Sequence, residues 1–215
     1  MFGSNDVSRV VANIGGIANI TVLPADGSDV LGFDTGPGNG LMDTWIRRRR
    51  ALPFDDLGQW AASGNVIGSL LDAFLDDPYF KLAPPKSTGF EYFNLDWLEK
   101  SDVDGLAPVD VQATLSKLTA DSVATAIREY AGNSSTVYVC GGGACNTDMM
   151  QRLAAALPGI SVESTETAGL DPDWVEAVAF AWLAMRTMRK LPGNLPAVTG
   201  ARRATILGST HNVGR

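Results

Sequence analysis

The sequence is poor in the side chains that build metal centres and redox sites. Its 215 residues hold one histidine, His211, and two cysteines, Cys140 and Cys145. The cysteines flank Gly-Gly-Gly-Ala, which is neither a CxxC redox spacing nor a zinc spacing. No zinc constellation and no Cys–His dyad can be assembled, and both cysteines are expected to be reduced, small and packed. His211 lies close to the C-terminus, where chains fray. Long apolar runs are also missing. The longest, Val175 to Met188, carries Glu176 and Arg186 and is too short to span a bilayer. The opening Met-Phe-Gly-Ser-Asn-Asp lacks the basic-then-apolar order of a signal peptide. A cytoplasmic protein with no membrane partner is the expectation. Positive charge is scarce: the net charge is −7, which argues against binding a nucleic-acid backbone. The one basic run, Arg47 to Arg50, reads as a solvated helix end at the negative pole of the helix dipole rather than a nucleic-acid patch.

Glycine, by contrast, is concentrated in three places. These are Asn13-Ile-Gly-Gly-Ile-Ala-Asn19, Gly32-Phe-Asp-Thr-Gly-Pro-Gly-Asn39 and Cys140-Gly-Gly-Gly-Ala-Cys-Asn146. Each follows or interrupts an apolar, strand-like run. Glycine lets backbone amides approach a ligand closely. Arg9–Ile14 and Ile17–Leu23 read as a hairpin closed by Gly15-Gly16. Val30–Phe33 reads as a short strand ending at Asp34. Residues 51–108 are broken by prolines, with helical spacing over Val66–Leu75 and Phe93–Leu98. Val111, Leu115, Leu118, Ile127 and Tyr130 mark a helix closed by Gly132. Thr136–Cys140 is a buried-type strand, Thr147–Leu157 a helix and Ile160–Val162 a short strand. Asp171-Pro172 caps and opens a last helix that runs to Met188. Strand, turn and helix alternate in the α/β manner.

The turn at Gly15-Gly16 can present amides to phosphates as anion-binding nests do, and Gly141-Gly142-Gly143 leads into a helix N-terminus. Neither is a P-loop, and neither is the GxGxxG dinucleotide pattern, which leaves a dehydrogenase without its ribose carboxylate. In the loop Pro84-Pro-Lys-Ser-Thr-Gly89, Lys86, Ser87 and Thr88 either contact a phosphate or cap the next helix, and capping is favoured. Asp34 is a turn residue bonding its own backbone or an acid–base group. Asp43 either supports Asp34 or is merely solvated. Glu176 reads as a helix-start charge or an interface residue.

In their order, these motifs resemble a family. Asn13–Asn19 is similar to the second phosphate motif of the actin/Hsp70/sugar-kinase superfamily, and Cys140–Ala144 to its adenosine motif. Together with Gly32–Asn39, Trp60-Ala-Ala-Ser-Gly64, Pro85-Lys-Ser-Thr-Gly89, Glu176 with Phe180–Ala184, and Val198-Thr-Gly-Ala201, they resemble the 1,6-anhydro-N-acetylmuramic acid kinases of bacterial cell-wall recycling, from about Arg9 to Gly208. The resemblance implies an α/β, ribonuclease-H-like lobe of the actin/hexokinase ATPase type, with a mixed sheet flanked by helices. It implies that residues 1–12 are a remnant of an interdomain segment and that 13–215 form the C-terminal nucleotide-binding lobe. The N-terminal lobe, with its Gly-Thr-Ser-x-Asp-Gly loop, has no match here, so the chain alone is expected to be inactive. Phe90 departs from the family pattern, which has arginine there.

The implied cofactors are ATP and Mg2+, with no metal ligand assigned. The implied nucleotide residues are Asn13, Gly15, Gly16, Gly36, Gly38, Asn39, Gly141, Gly142, Gly143 and Asn146. Asp34 is the implied catalytic base, and Lys86 and Ser87 are weak substrate contacts. The implied reaction opens 1,6-anhydro-N-acetylmuramic acid and gives N-acetylmuramic acid 6-phosphate. The relatives resemble homodimers, to which the Trp174–Met188 helix would contribute. The alternative is a non-catalytic actin-like nucleotide-binding module.

Overall fold

The computed structural model describes residues 2–211. The first two strands are β1 (Arg9–Ile14) and β2 (Ile17–Leu23), joined by Gly15-Gly16 as the alternating pattern predicts. Strand β3 (Leu31–Pro37) is longer than expected and runs straight through the second glycine motif. Its register against β2 shifts between Ala18 and Asn19: Asn19 lies opposite Asp34, and Ala18 opposite Gly36. Thr35 is the extra residue of a bulge. Asp34 is therefore a mid-strand residue, not a turn residue. Helix α1 (Asn39–Arg50) follows at once.

The segment between the sheet's third and fourth strands carries short helices α2 (Gln59–Ala62), α3 (Gly68–Leu75) and α4 (Leu95–Glu99), then the long α5 (Pro108–Ala131). Asn94 caps α4 by accepting the Trp97 N–H. The capping role expected of Lys86, Ser87 or Thr88 is thus filled elsewhere. Gly132 closes α5 as expected, as its C-cap, with a right-handed φ of −62°. Strand β4 (Thr136–Cys140), helix α6 (Thr147–Ala156), strand β5 (Ser161–Ser164), α7 (Val175–Met188) and α8 (Pro196–Thr199) complete the chain.

The five strands form one mixed sheet in the order β3-β2-β1-β4-β5. β1, β2 and β3 are antiparallel, while β4 joins β1 and β5 joins β4 in parallel. This is the expected ribonuclease-H-like arrangement.

Alternation splits the sheet into two faces. Val10, Ala12, Ile14, Ala18, Ile20, Val137 and Val139 are buried on one, beneath α5. Arg9, Val11, Asn13, Asn19 and Asp34 belong to the other, which is only partly covered. Two polar ties fix the covering helices. Trp45 on α1 donates its indole N–H to the Pro108 carbonyl at 2.8 Å. The Thr119 hydroxyl of α5 reaches the Pro37 and Gly38 carbonyls, each at 3.1 Å. The basic run at the end of α1 is consumed locally: Arg48 pairs with Glu99 and Asp104, Arg49 pairs with Asp104, and Arg49 lies over the Trp45 ring. Helix α7 buries no side chain, and Phe180 is 70% exposed. No helix among the described residues is long and apolar enough to cross a membrane.

Two glycines give opposite expectations. A Cβ on Gly38 would lie 2.2 Å from the Gly15 carbonyl oxygen, a backbone atom that cannot swing aside. Gly38→Ala should cost at least about 2–3 kcal/mol. Gly68, in the first turn of α3, has open space around its missing Cβ. Gly68→Ala should be neutral or stabilising by up to about 1 kcal/mol. Urea titration of both variants against the parent checks the contrast.

Candidate active site

β1 and β4 run parallel with Asn13 beside Cys140, so their glycine turns emerge side by side at one end of the sheet. Ligands of open α/β sheets sit at the carboxyl ends of such strands. The two turns are packed backbone to backbone. A Cβ on Gly141, whose φ is +73°, would lie 2.6 Å from Asn13 Oδ1, and one on Gly143 would lie 2.4 Å from Ile14 Cβ.

The start of α1 locks the hairpin turn. Gly38 N–H and Gly40 N–H donate to the Gly16 carbonyl at 3.0 and 3.1 Å, and Asn39 N–H donates to the Gly15 carbonyl at 2.7 Å. The Asn39 side-chain amide donates to the Ile14 carbonyl at 3.0 Å. In a trans peptide the N–H points opposite to the C=O. With the Ile14 and Gly15 carbonyls turned toward α1, the amides of Gly15 and Gly16 point away from it. These two glycines, with Asn13, Gly141 and Gly142, line a pocket of about 360 Å³.

The expected nucleotide residues therefore divide. Asn13, Gly15, Gly16, Gly141 and Gly142 line this pocket. Asn39 and Asn146 line an adjoining one of about 340 Å³ that shares Gly142. Asn146 also caps α6, accepting the Met149 N–H at 3.0 Å. Gly36, Gly38 and Gly143 are buried, and they shape the turns from behind instead of facing a cavity. The Gly38 amide, expected to face phosphate, is spent on Gly16. Glu176 and Asp173, at the start of α7 and just before it, line the first pocket, a placement the sequence did not suggest for Glu176. Cys140 is buried, and burial pushes its thiol up to about 11. Cys145 is exposed at the second pocket, contrary to the packing expected of it.

Asp34 belongs to the same face. It lies opposite Asn19, which lies opposite Asn13. Neighbouring strands are about 4.8 Å apart, so Asp34 stands roughly 10 Å from Asn13 across the sheet. The segment Pro84–Phe90 straps over it. Lys86 carbonyl accepts the Asp34 N–H at 3.2 Å, and the Thr88 N–H donates to Asp34 Oδ2 at 2.9 Å. The Tyr79 hydroxyl donates to the Asp34 carbonyl at 2.8 Å. Burial raises the Asp34 carboxyl above its ordinary value, against the opposing pull of the Thr88 amide. One carboxylate oxygen is thus fixed, and the other accepts no hydrogen bond from the described residues.

A pocket of about 510 Å³ opens here, lined by Asn19, Asp34, Lys86, Ser87 and Thr199 among others. Both weak substrate candidates line it. Lys86 is held over the Tyr79 ring at 4.7 Å, and burial lowers its ammonium from the usual lysine range. Tyr79 was left unassigned by the sequence, and Thr88, read there as a phosphate contact or a cap, instead holds Asp34. They sit 45 and 54 residues beyond Asp34, and no local pattern joins them to it.

Asp43, one turn into α1, lines the second pocket. Burial, reinforced by the neighbouring Asp55, pushes its carboxyl up to about 6 even though Arg47 pulls it down. The folded state binds this proton more tightly than the unfolded chain, whose aspartates titrate near 3.9. The stability that Asp43 contributes is full below about pH 4 and is lost as pH rises through about 6. Asp43→Asn should therefore stabilise the fold at pH 7.5 by about 1–2 kcal/mol, allowing for its partial exposure, and far less at pH 4. Urea unfolding at the two pH values reads the difference.

Comparison with known proteins identifies the family. The family described as "Anhydro-N-acetylmuramic acid kinase" matches residues 1–212. Among curated relatives of that name, the Cupriavidus pinatubonensis protein is 51% identical over 98% of this chain and 57% of its own length. The Shewanella pealeana protein is 52% identical over 97% of this chain and 57% of its own. The Coxiella burnetii protein is 50% identical over 95% and 55%. The chain thus spans little more than half the length of the curated relatives it matches. Among solved structures, the activator of the 2-hydroxyisocaproyl-CoA dehydratase from Clostridium difficile, described with bound ADPNP, superposes with a TM-score of 0.50 at 16% identity. That match covers 87% of this chain and 64% of the activator, and it shows a shared fold. On sequence, the chain belongs to the anhydro-N-acetylmuramic acid kinase family.

Proposed function

We propose that this chain forms the nucleotide-binding lobe of an ATP-dependent kinase that converts 1,6-anhydro-N-acetylmuramic acid to N-acetylmuramic acid 6-phosphate. The observation that carries the reading is Asp34. It is a partly desolvated carboxylate, held by one amide, in a pocket on the face where the glycine turn presents its own amides. ATP would lie along Gly141–Gly142 with its phosphates at Gly15 and Gly16, and the sugar would lie in the pocket of Asp34, Lys86 and Ser87.

In this reading the unbonded oxygen of Asp34 takes a proton from water. The water oxygen bonds to C1 of the sugar as the C1–O6 bond breaks. O6 then bonds to the γ-phosphorus, and the bond to the β-phosphate oxygen breaks to release ADP. Proton transfer to a positioned base contributes about 10²–10⁴-fold. Phosphoryl transfer needs positioning and charge neutralisation more than covalent help. The Gly15 and Gly16 amides and the Lys86 ammonium supply part of that charge. Mg2+ sites beside phosphates use one or two carboxylates. Asp173 and Glu176, at the pocket of Gly15 and Gly16, fit that need, and Mg2+ there would neutralise phosphate charge.

The relatives' additional length would complete the site as a second lobe, with residues 1–12 leading from it into β1 and 13–215 forming the rest of the lobe described here. The apolar side chains displayed by α7, among them Trp174, Phe180 and Met188, suit a protein surface and support a homodimer of the whole enzyme. The bacterial cytoplasm is the compartment proposed.

Mg–ATP-dependent formation of the 6-phosphorylated sugar tests the reading, followed with the 215-residue chain and with Asp34→Asn. Turnover should fall about 10²–10⁴-fold in the variant while ADP affinity is kept. Where turnover is measurable, its acid limb should lie above pH 3.9, because burial raises Asp34 and activity is lost as pH falls through that raised value. A fully active Asp34→Asn would overturn the assignment. A folded chain that binds ADP yet makes no product would favour the non-catalytic module, or a need for the second lobe.

A further inference from the structure

Phe90 is a large apolar residue that is 61% exposed. Its ring nevertheless has a defined seat. A Cβ on Gly16 would lie 2.4 Å from the ring tip, and one on Gly40 would lie 2.6 Å from the same ring. Neither glycine has a left-handed φ. At Gly16 the demand for glycine comes from the ring alone; at Gly40 the ring shares it with the Gly16 carbonyl. The two glycines are themselves joined, since the Gly40 N–H donates to that carbonyl at 3.1 Å. Two residues before Phe90, the Thr88 N–H holds the Asp34 carboxylate. Three and four residues after Gly89, Tyr92 and Phe93 close a turn on its carbonyl, and Phe93 is buried in the aromatic cluster with Tyr79. The strap is thus anchored at Phe93, and its other fixed point on the glycine turn is the Phe90 ring.

We propose that Phe90 is a positioning residue that couples occupancy of the Gly15–Gly16 turn to the orientation of Asp34. This rests on the nucleotide-binding reading given above. Phosphate bound by the turn holds Gly16 and Gly40. They hold the ring, and the ring holds the strap with the Thr88 amide on the carboxylate. Without a ligand, the exposed strap opens by local unfolding. A ligand that favours the closed form shifts that equilibrium.

Amide hydrogen exchange in the full chain tests this, with ADP plus Mg2+ as the probe and Phe90→Ala and Phe90→Leu as variants. In the parent, the probe should slow exchange at Gly38, Gly40 and Thr88 together. In Phe90→Ala, Thr88 should exchange about tenfold faster without ligand. The probe should then still protect Gly38 and Gly40 but not Thr88, and Phe90→Leu should restore part of the coupling. Since the ring is exposed, both variants should fold, with unchanged exchange in β1 and β4 as the control. Equal protection of Thr88 in the parent and Phe90→Ala would overturn the coupling and leave the nucleotide reading standing. So would protection of the turn but not of Thr88 in the parent. If the probe protects nothing in the parent, the nucleotide reading falls and the coupling falls with it.

Discussion

The structure depends on a contact that only glycine permits: backbone laid directly on backbone. The entry to α1 lies on the backbone of the Gly15–Gly16 hairpin, and the Gly141–Gly143 turn packs against the Ile14 carbonyl and the side chains of Asn13 and Ile14. The hydrogen bonds from Gly38, Asn39 and Gly40 turn the hairpin carbonyls inward, so the amides on the opposite side are the ones left for a ligand. The Thr119 hydroxyl, buried on α5, ties the carbonyls of Pro37 and Gly38 and so fixes the entry to α1 from beneath. A buried threonine far along the chain thereby helps set the shape of the glycine turn.

The two hairpin strands, β4 and α5 were legible in the sequence because each carries a strong period. Alternation in Arg9–Leu23 sets strand and register together, and the apolar spacing of Val111–Tyr130 marks one helix. The stretch Gly32–Asn39 was misread as a turn because its composition is that of a turn. The pairing of Asp34 with Asn19 and the bulge at Thr35 keep it a strand, and composition cannot show pairing. The glycines were found correctly as a group, but sequence does not say which of them faces a cavity. That is decided by packing: Gly36 against Phe80, Gly38 against Gly15, and Gly143 against Ile14.

The surroundings of Asp34 were the least legible part. Tyr79, Lys86 and Thr88 reach it across a proline-broken stretch with no periodicity, and two of their three contacts are made by main-chain atoms that carry no residue signature. Asp43 and Asp55 likewise meet only once α1 and the following loop have folded back. Family resemblance located Asp34, whereas the fold supplies what a base requires: desolvation, one fixed oxygen and one free oxygen.

The strap over Asp34 has a second consequence. β3 is one of the two edge strands of the sheet. An outer strand with unpaired amides is a template on which another chain can extend the sheet, and unguarded edges of this kind seed aggregation. By accepting the Asp34 N–H, the Lys86 carbonyl takes up a ladder position that an intruding strand would need, and Pro84 and Pro85 beside it lack amide hydrogens with which to continue a ladder. The strap that fixes one oxygen of the Asp34 carboxylate thus also guards this edge against unwanted neighbours.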